Sequence, residues 1–209
     1  MTKTPTRSAG RPTRQQAARL DEQVRLAAVQ AFIARGFDGV TMEEVARAAG
    51  IGKPALYARY ADKRELFTTV IPWALQNLNW LDPLEGATGR DIEEALQMIA
   101  RAAHERAVDP ETVGLIRMVM AEAPRFTEVA LTSDELIRSP LITSVIDVLA
   151  AHTDQLAIDD LQTAAEQFIG LVHLMPLTFA AFGFRRDGAD AEAHLTAVVH
   201  TFLRGVLVR

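Results

Sequence analysis

A chain of 209 residues, 49% hydrophobic and 23% charged, is long enough for one large domain or two small ones with a buried core. It has no cysteine, which excludes a disulfide framework, a thiol nucleophile and a cysteine-ligated metal. The formal net charge of −5 argues, taken whole, against a polyanionic partner, but residues 1–70 hold 12 Lys+Arg against 7 Asp+Glu while residues 71–209 hold 10 against 20, so a basic module is joined to an acidic body.

The first 19 residues carry Lys3, Arg7, Arg11, Arg14 and Arg19 and no acid. They lack the apolar core of a signal peptide, so a cytoplasmic protein is expected. Such an arm is either a solvated tail or a DNA contact. Gly10-Arg11-Pro12 resembles the centre of a minor-groove hook, where arginine meets the strong negative potential of a narrow groove.

Leu20, Val24, Ala27, Ala28, Ala31 and Phe32 then form one face of a first helix, which Gly36 stops. Thr41 and Glu44 have capping-box spacing at the start of a second, short helix, with Val40 and Val45 placed as a hydrophobic staple. That helix ends at Gly50. A third begins near Gly52-Lys53-Pro54, where proline fits a first turn, and ends near Tyr60. Asp62 and Glu65 predict the cap of a fourth helix, with Phe67, Ile71, Ala74, Leu78 and Leu81 as its stripe and a bend at Pro72.

Further amphipathic helices follow. One covers about 91–107 and another opens at Asp109-Pro110 and ends at Pro124. A weakly marked stretch over 125–137 precedes a separate helix opened by Ser139-Pro140. A long helix starts at Asp159 and the last runs near 190–207. No stretch has a sustained period of two, so the fold class is all-α, with about nine helices.

Helices two and three, joined by Gly50-Ile51-Gly52, read as a helix-turn-helix with Ile51 buried at the corner. In this motif the start of the second helix faces base edges in the major groove. Lys53, Pro54, Ala55, Tyr57 and Arg59 are then the candidate reading surface, and the Ala55 methyl suits a thymine methyl. Lys53, Tyr57 and Lys63 are candidates for phosphate oxygens, as is the Thr41 end of helix two, where free amides favour an anion.

The run from Phe37-Asp38-Gly39-Val40-Thr41 through Gly50-Ile51-Gly52-Lys53-Pro54-Ala55-Leu56-Tyr57 to Asp62-Lys63-Arg64-Glu65-Leu66-Phe67 resembles the N-terminal domain of TetR/AcrR-family transcriptional regulators. Two positions depart from the family pattern. Gly52 stands where serine is frequent, which removes a hydroxyl from the helix cap, and Arg59 stands where histidine is frequent, which adds a charge. The segment from Ile116 through Ala121-Glu122-Ala123-Pro124-Arg125-Phe126 to Phe168-Ile169-Gly170-Leu171 resembles the C-terminal domain of the AefR-like subgroup.

The resemblance implies a homodimer held by the helices near 159–184 and 190–207. It also implies a small-molecule pocket in the C-terminal domain and release of double-stranded DNA when a small apolar or amphipathic ligand binds there. The domain organisation it implies is a flexible basic arm (1–14), a helix-turn-helix domain (15–62) and a ligand-binding and dimerisation domain (63–209). The DNA-binding candidates are Arg11, Thr41, Gly52, Lys53, Pro54, Ala55, Tyr57, Arg59 and Lys63, and the pocket candidates are Trp73, His104, Met118, Phe126, His173 and Phe179.

Sharper alternatives are weaker. Gly50-Ile51-Gly52-Lys53-Pro54-Ala55 fits a dinucleotide fingerprint only if a strand precedes it, and here a helix does. His104, His152, His173, His194 and His200 include no pair spaced for a metal, so neither metal nor cofactor is expected. His173, in a very apolar helix, is either a satisfied core histidine or a polar anchor in the pocket. Trp73, Trp80, Met118, Met120, Phe126, Met175, Phe179 and Phe182 read as core or pocket. The apolar run Phe168 to Phe184 is 17 residues long, shorter than the roughly 20 that span a membrane, so no membrane partner is expected. The reading is a dimeric, ligand-responsive transcriptional regulator, a repressor, binding a palindromic operator, and not an enzyme. The alternative is an all-helical small-molecule enzyme or carrier whose helix-turn-helix serves packing.

Overall fold

The computed structural model describes residues 14–77 and 87–207, so the expectations placed on Arg11, Leu78, Trp80 and Leu81 lie outside the described residues. It comprises two compact units, Met1–Val70 and Ile71–Arg209, with the division falling inside the fourth helix rather than ahead of it. Ten α-helices and no strand occur among the described residues, as the all-α reading requires.

The first unit holds α1 (Arg14–Arg35), α2 (Met42–Ala48), α3 (Lys53–Tyr57) and the first part of α4 (Lys63–Gln76). α1 starts ahead of Leu20, because the preceding Arg14-Gln15-Gln16-Ala17-Ala18-Arg19 consists of strong helix formers. Gly36 ends it with φ 68°, its amide donating to the Phe32 carbonyl at 2.8 Å. Gly39 is needed for a second reason, since a Cβ there would overlap the Arg35 carbonyl oxygen. The rings of Phe32, Phe37 and Phe67 meet with centroids 5.0 to 6.1 Å apart, and Val24, Val45, Leu56 and Leu66 are fully buried. Phe67 crosses both other rings nearly edge-on, the arrangement the ring quadrupoles favour. The start of α4 thus belongs to this core. Asp62 accepts from the Glu65 amide at 2.8 Å as expected, but the Glu65 carboxylate reaches the Ala61 amide at 2.6 Å, one residue earlier than in a standard capping box.

The second unit contains the rest of α4 and α5 (Ile92–Val108), α6 (Pro110–Glu122), α7 (Thr127–Ala150), α8 (Leu161–Ile169), α9 (Met175–Ala181) and α10 (Gly188–Val206). α5 is central, packing against α6, α7, α9 and α10 and burying Leu96, Ile99, Ala100, Ala103 and Ala107. Asp91 and Asp109 cap α5 and α6, accepting from the Glu93 and Thr112 amides at 2.9 Å each.

Two expectations fail here. The stretch 125–137 and the helix opened by Ser139-Pro140 are one helix, α7, running through Pro140. A mid-helix proline costs about 3 kcal/mol. Burial offsets it: Val129 and Ser133 before the proline and Leu141, Val145 and Val148 after it are all buried. The long helix after Asp159 is capped instead by Asp160, which accepts from the Gln162 and Thr163 amides. It is also interrupted by a π-helical stretch, Gly170–Leu174, in which the Met175 amide donates to the Gly170 carbonyl. Pro176 has no amide to donate, and the wider turn before it absorbs the bend expected at that residue.

Leu161–Ala181 is 21 residues long, so the stretch of helix is longer than the apolar run suggested and meets the length and composition of a membrane span. Half of it is buried within the fold, the pattern of a core helix.

Candidate nucleic-acid interface

α2 is positioned by its N-terminus. Thr41 has extended backbone (φ −113°, ψ 152°), its hydroxyl lies 3.3 Å from the Glu44 amide, and Glu44 Oε2 accepts from the Thr41 amide at 2.9 Å. Arg35 Nη1 donates to the other Glu44 oxygen at 2.7 Å, anchoring the end of α1 to the start of α2. The Arg35 bond first, and then those from Thr41, hold the Glu44 carboxyl down to about 2. Val40 and Val45 are both buried, as the staple requires.

The corner is made by Gly50, with φ 67°, and by the Ile51 amide, which donates to the Ala46 carbonyl at 2.9 Å. Ile51 itself is half-buried rather than buried, so the fixed backbone and the fully buried Leu56 set the angle at this corner. Gly52 caps α3 through its backbone alone, and Pro54 sits in the first turn, where a missing amide leaves no bond unmade.

The candidate DNA residues separate into two groups. Thr41, Gly52, Lys53, Pro54 and Tyr57 are exposed and Ala55 is half-exposed, so they are open to a duplex. The Lys53 ammonium pairs with Glu43 on α2 and lies 5.6 Å from the Tyr57 ring centre. Their hydrogen bond lowers the Glu43 pKa and raises that of Lys53. Arg59 and Lys63 are engaged within the unit. Arg59 Nε donates to Asp21 at 2.7 Å and Nη1 to the Ala55 carbonyl at 2.8 Å. Lys63 Nζ donates to the Val40 carbonyl at 3.0 Å and lies 4.5 Å above the Phe37 ring. Sequence reasoning missed Asp21, Arg35 and Glu43 as partners. Only Glu43, one helical turn before Arg47 and beside the Thr41 cap, had a local signal.

The pocket candidates also divide. A cavity of about 250 Å³ is lined by α6, α7, α8, the π-helical stretch and α9, through residues including Ile116, Val119, Ser133, Glu166, Leu177 and His173. His173 is buried; its Nδ1 lies 2.9 Å from the Ala103 carbonyl, and burial pushes its pKa down, so the neutral ring donates there. His104 and Phe179 line a different cavity, and Trp73, Met118 and Phe126 line neither. Met118 and Phe126 are core; Met120 lines the 250 Å³ cavity and Phe179 the other, both while partly exposed, whereas Met175 and Phe182, read as core or pocket, are surface residues of the chain, because the apolar stripe of the helix is broader than its buried face. No cluster of metal-ligating side chains occurs among the described residues.

Residues 25–70 match the family described as bacterial regulatory proteins, tetR family. Residues 94–205, more than half of the chain, match the C-terminal domain of AefR-like transcriptional repressors. The HTH-type transcriptional activator FasR of Mycolicibacterium smegmatis is 38% identical over 56 residues, covering 27% of this chain and 26% of that protein. A crystal structure of a TetR-family transcriptional regulator from Mesorhizobium loti superposes with a TM-score of 0.79 at 29% identity, covering 94% of this chain and 100% of that one. The flavonoid-responsive regulator FrrA gives 0.76 at 28% identity, covering 92% and 99%.

Proposed function

The chain belongs to the TetR family of bacterial transcriptional regulators, with an AefR-like C-terminal domain, and from that premise we propose that it is a dimeric, ligand-responsive repressor acting on a palindromic operator in the cytoplasm. The observation that carries the DNA-binding part is the exposed Lys53 and Pro54 at the start of α3 and the exposed Tyr57 at its end, held by a buried Leu56 and a left-handed Gly50. Exposed polar residues on a rigid, short helix are what a major-groove reader needs. Thr41, Gly52, Ala55, Arg59 and Lys63 complete the interface. Thr41 offers the amide end of α2 to a phosphate, whereas Arg59 and Lys63 keep Ala55 and Val40 in place and act on DNA through that geometry. Arg11 is assigned to the minor groove.

Repression is favoured by the AefR-like repressor match of the larger domain, although FasR is an activator. Dimerisation is supported by Leu171, Leu174, Met175 and Phe182, all at least 40% exposed along one stretch of chain. The 250 Å³ cavity around His173 and Ser133 is apolar with a few polar groups, which suits a small apolar or amphipathic effector, and the structurally similar FrrA is a flavonoid-responsive regulator. The effector would favour the conformer whose two α3 helices are misplaced for DNA.

A gel-shift with the DNA upstream of the protein's own gene tests the proposal. A salt-sensitive shift at a palindrome, reversed by a compound that also raises the melting temperature, is expected. A folded dimer that gives no shift at low salt would overturn it.

A further inference from the structure

The second cavity, of about 400 Å³, lies between the end of α5 and the segment following α9, and its volume is that of a small-molecule site. Val108, Pro176, Phe179 and Phe184 form its apolar side, and His104, Arg185 and Arg186 its polar side. It shares no lining residue with the chamber around His173.

His104 is 6% exposed. Its Nε2 lies 3.4 Å from the Arg186 carbonyl oxygen. A carbonyl only accepts, so Nε2 is the donor there, and in the neutral ring Nδ1 is left with a lone pair. That Nδ1 finds no hydrogen-bond partner among the described residues. Buried polar atoms are almost always paired, so this ring holds acceptor capacity that the protein leaves unused. Nδ1 is closed off in this conformer, so an occupant reaches it only when the ring turns, against the single 3.4 Å contact at Nε2.

The rim carries two arginines, of which Arg185 is set in place and paired with a carboxylate. Arg185 is bonded through Nε and Nη2 to Asp187 at 2.9 and 2.6 Å and through Nη1 to the Val108 carbonyl at 3.3 Å. A carboxylate brings no proton to Nδ1, and an ammonium has the Arg186 charge against it while Asp187 is already taken by Arg185. An aromatic hydroxyl meets all three demands: its ring packs on Phe179 and Phe184, its O–H donates, and its electron-rich oxygen faces the arginines.

We propose that this cavity is a second ligand site, taking a small hydroxylated aromatic molecule whose O–H is accepted by His104 Nδ1. The proposal is independent of the operator and of the chamber, since binding is read directly.

The test is a fluorescence titration of the full-length protein with 2-naphthol, against 2-methoxynaphthalene, which lacks the donor, and 2-naphthoate, which is anionic. Wild type should bind 2-naphthol roughly tenfold tighter than either, the weight of one buried hydrogen bond. His104→Leu and Phe184→Ala should each lose roughly that factor, with the mass in solution unchanged. Ala130→Phe, which fills the other chamber, should have no effect. If His104→Leu fails to fold, His104→Gln and the surface change Phe184→Ala carry the test. Equal affinity for 2-methoxynaphthalene, no saturable binding, indifference to His104 and Phe184, or loss in Ala130→Phe would each overturn the proposal. The last result would still leave the effector reading of the chamber intact.

Discussion

Arg59 Nε donates to Asp21 Oδ1 across 2.7 Å, linking the turn after α3 to α1 although the residues are 38 apart in sequence. The same guanidinium holds the Ala55 carbonyl, so the charge that Arg59 adds is spent inside the unit. If it is a clamp, Asp21→Ala and Arg59→Ala each lower stability by about 0.2–1 kcal/mol, the range for a partly exposed pair. A double-mutant cycle in urea should show that the second change adds little after the first. If Arg59 instead acts mainly on phosphate, Arg59→Ala would leave the urea midpoint unchanged and flatten the salt dependence of operator binding.

Glu43 and Lys53 predict an opposed pair of effects. The carboxylate neutralises Lys53 and sits where a phosphate would approach the amide end of α2. Glu43→Gln should tighten operator binding several-fold at low salt, with the gain fading as salt screens the charge. Lys53→Ala should weaken binding and reduce the slope of log affinity against log salt by about 0.9, one phosphate contact. Fluorescence anisotropy over a salt series measures both, and a weaker Glu43→Gln complex would sink the pairing argument.

The capping box at Thr41 gives a pH prediction. Glu44 titrates at about 2 in the folded chain against an ordinary value of 4.5. A folded value below the unfolded one means stabilisation that is complete above about 4.5 and lost as pH falls toward 2. The stability difference between wild type and Glu44→Gln should therefore be constant near neutrality and shrink between those limits in denaturant titrations. Thr41→Ala should cost about 1 kcal/mol, the usual worth of a lost N-cap.

Gly39 is a backbone requirement rather than a contact. Since a Cβ would overlap the Arg35 carbonyl oxygen, Gly39→Ala must push apart the end of α1 and the loop carrying Val40. A loss of about 1–3 kcal/mol is expected, the cost of forced overpacking. Thermal melts should show it with operator affinity unaffected at temperatures where the variant is folded. A melting temperature equal to wild type would contradict the geometry.

The features legible in the sequence are those decided within a few residues. The Thr41–Glu44 box, the Gly36 and Gly50 stops and the helix start at Asp109 each depend on bonds between neighbours in the chain, so residue type and spacing suffice. Pro140 was misleading because the local rule is outweighed by burial of Leu141, Val145 and Val148, which only the assembled unit provides. The π-helical turn before Pro176 has no composition signature of its own. Arg59 and Lys63 were placed on the correct unit, but their partners lie 38 and 23 residues away. Lining could not be separated from packing for the same reason: His173 and His104 face different cavities only because several helices meet in one particular register.

The apolar surface around α9 makes the last prediction. Leu174 is 52% exposed and Phe182 75% exposed, an expense of apolar area that a second copy would recover. Two copies would each bring the acidic C-terminal body, so a carboxylate introduced here would meet repulsion as well as desolvation. Leu174→Glu should halve the mass measured by light scattering while helical circular dichroism is retained, because the side chain lies outside the core of its own unit. Operator affinity should fall steeply, since a monomer engages one half-site where a dimer engages two. Phe182→Ala, which removes area without adding charge, should give a weaker form of the same shift, visible as a concentration-dependent mass. A wild type that is already monomeric, or a Leu174→Glu variant with unchanged mass, would exclude this surface as the dimer contact. An unchanged mass with lost operator binding would instead place Leu174 in the link between effector and DNA.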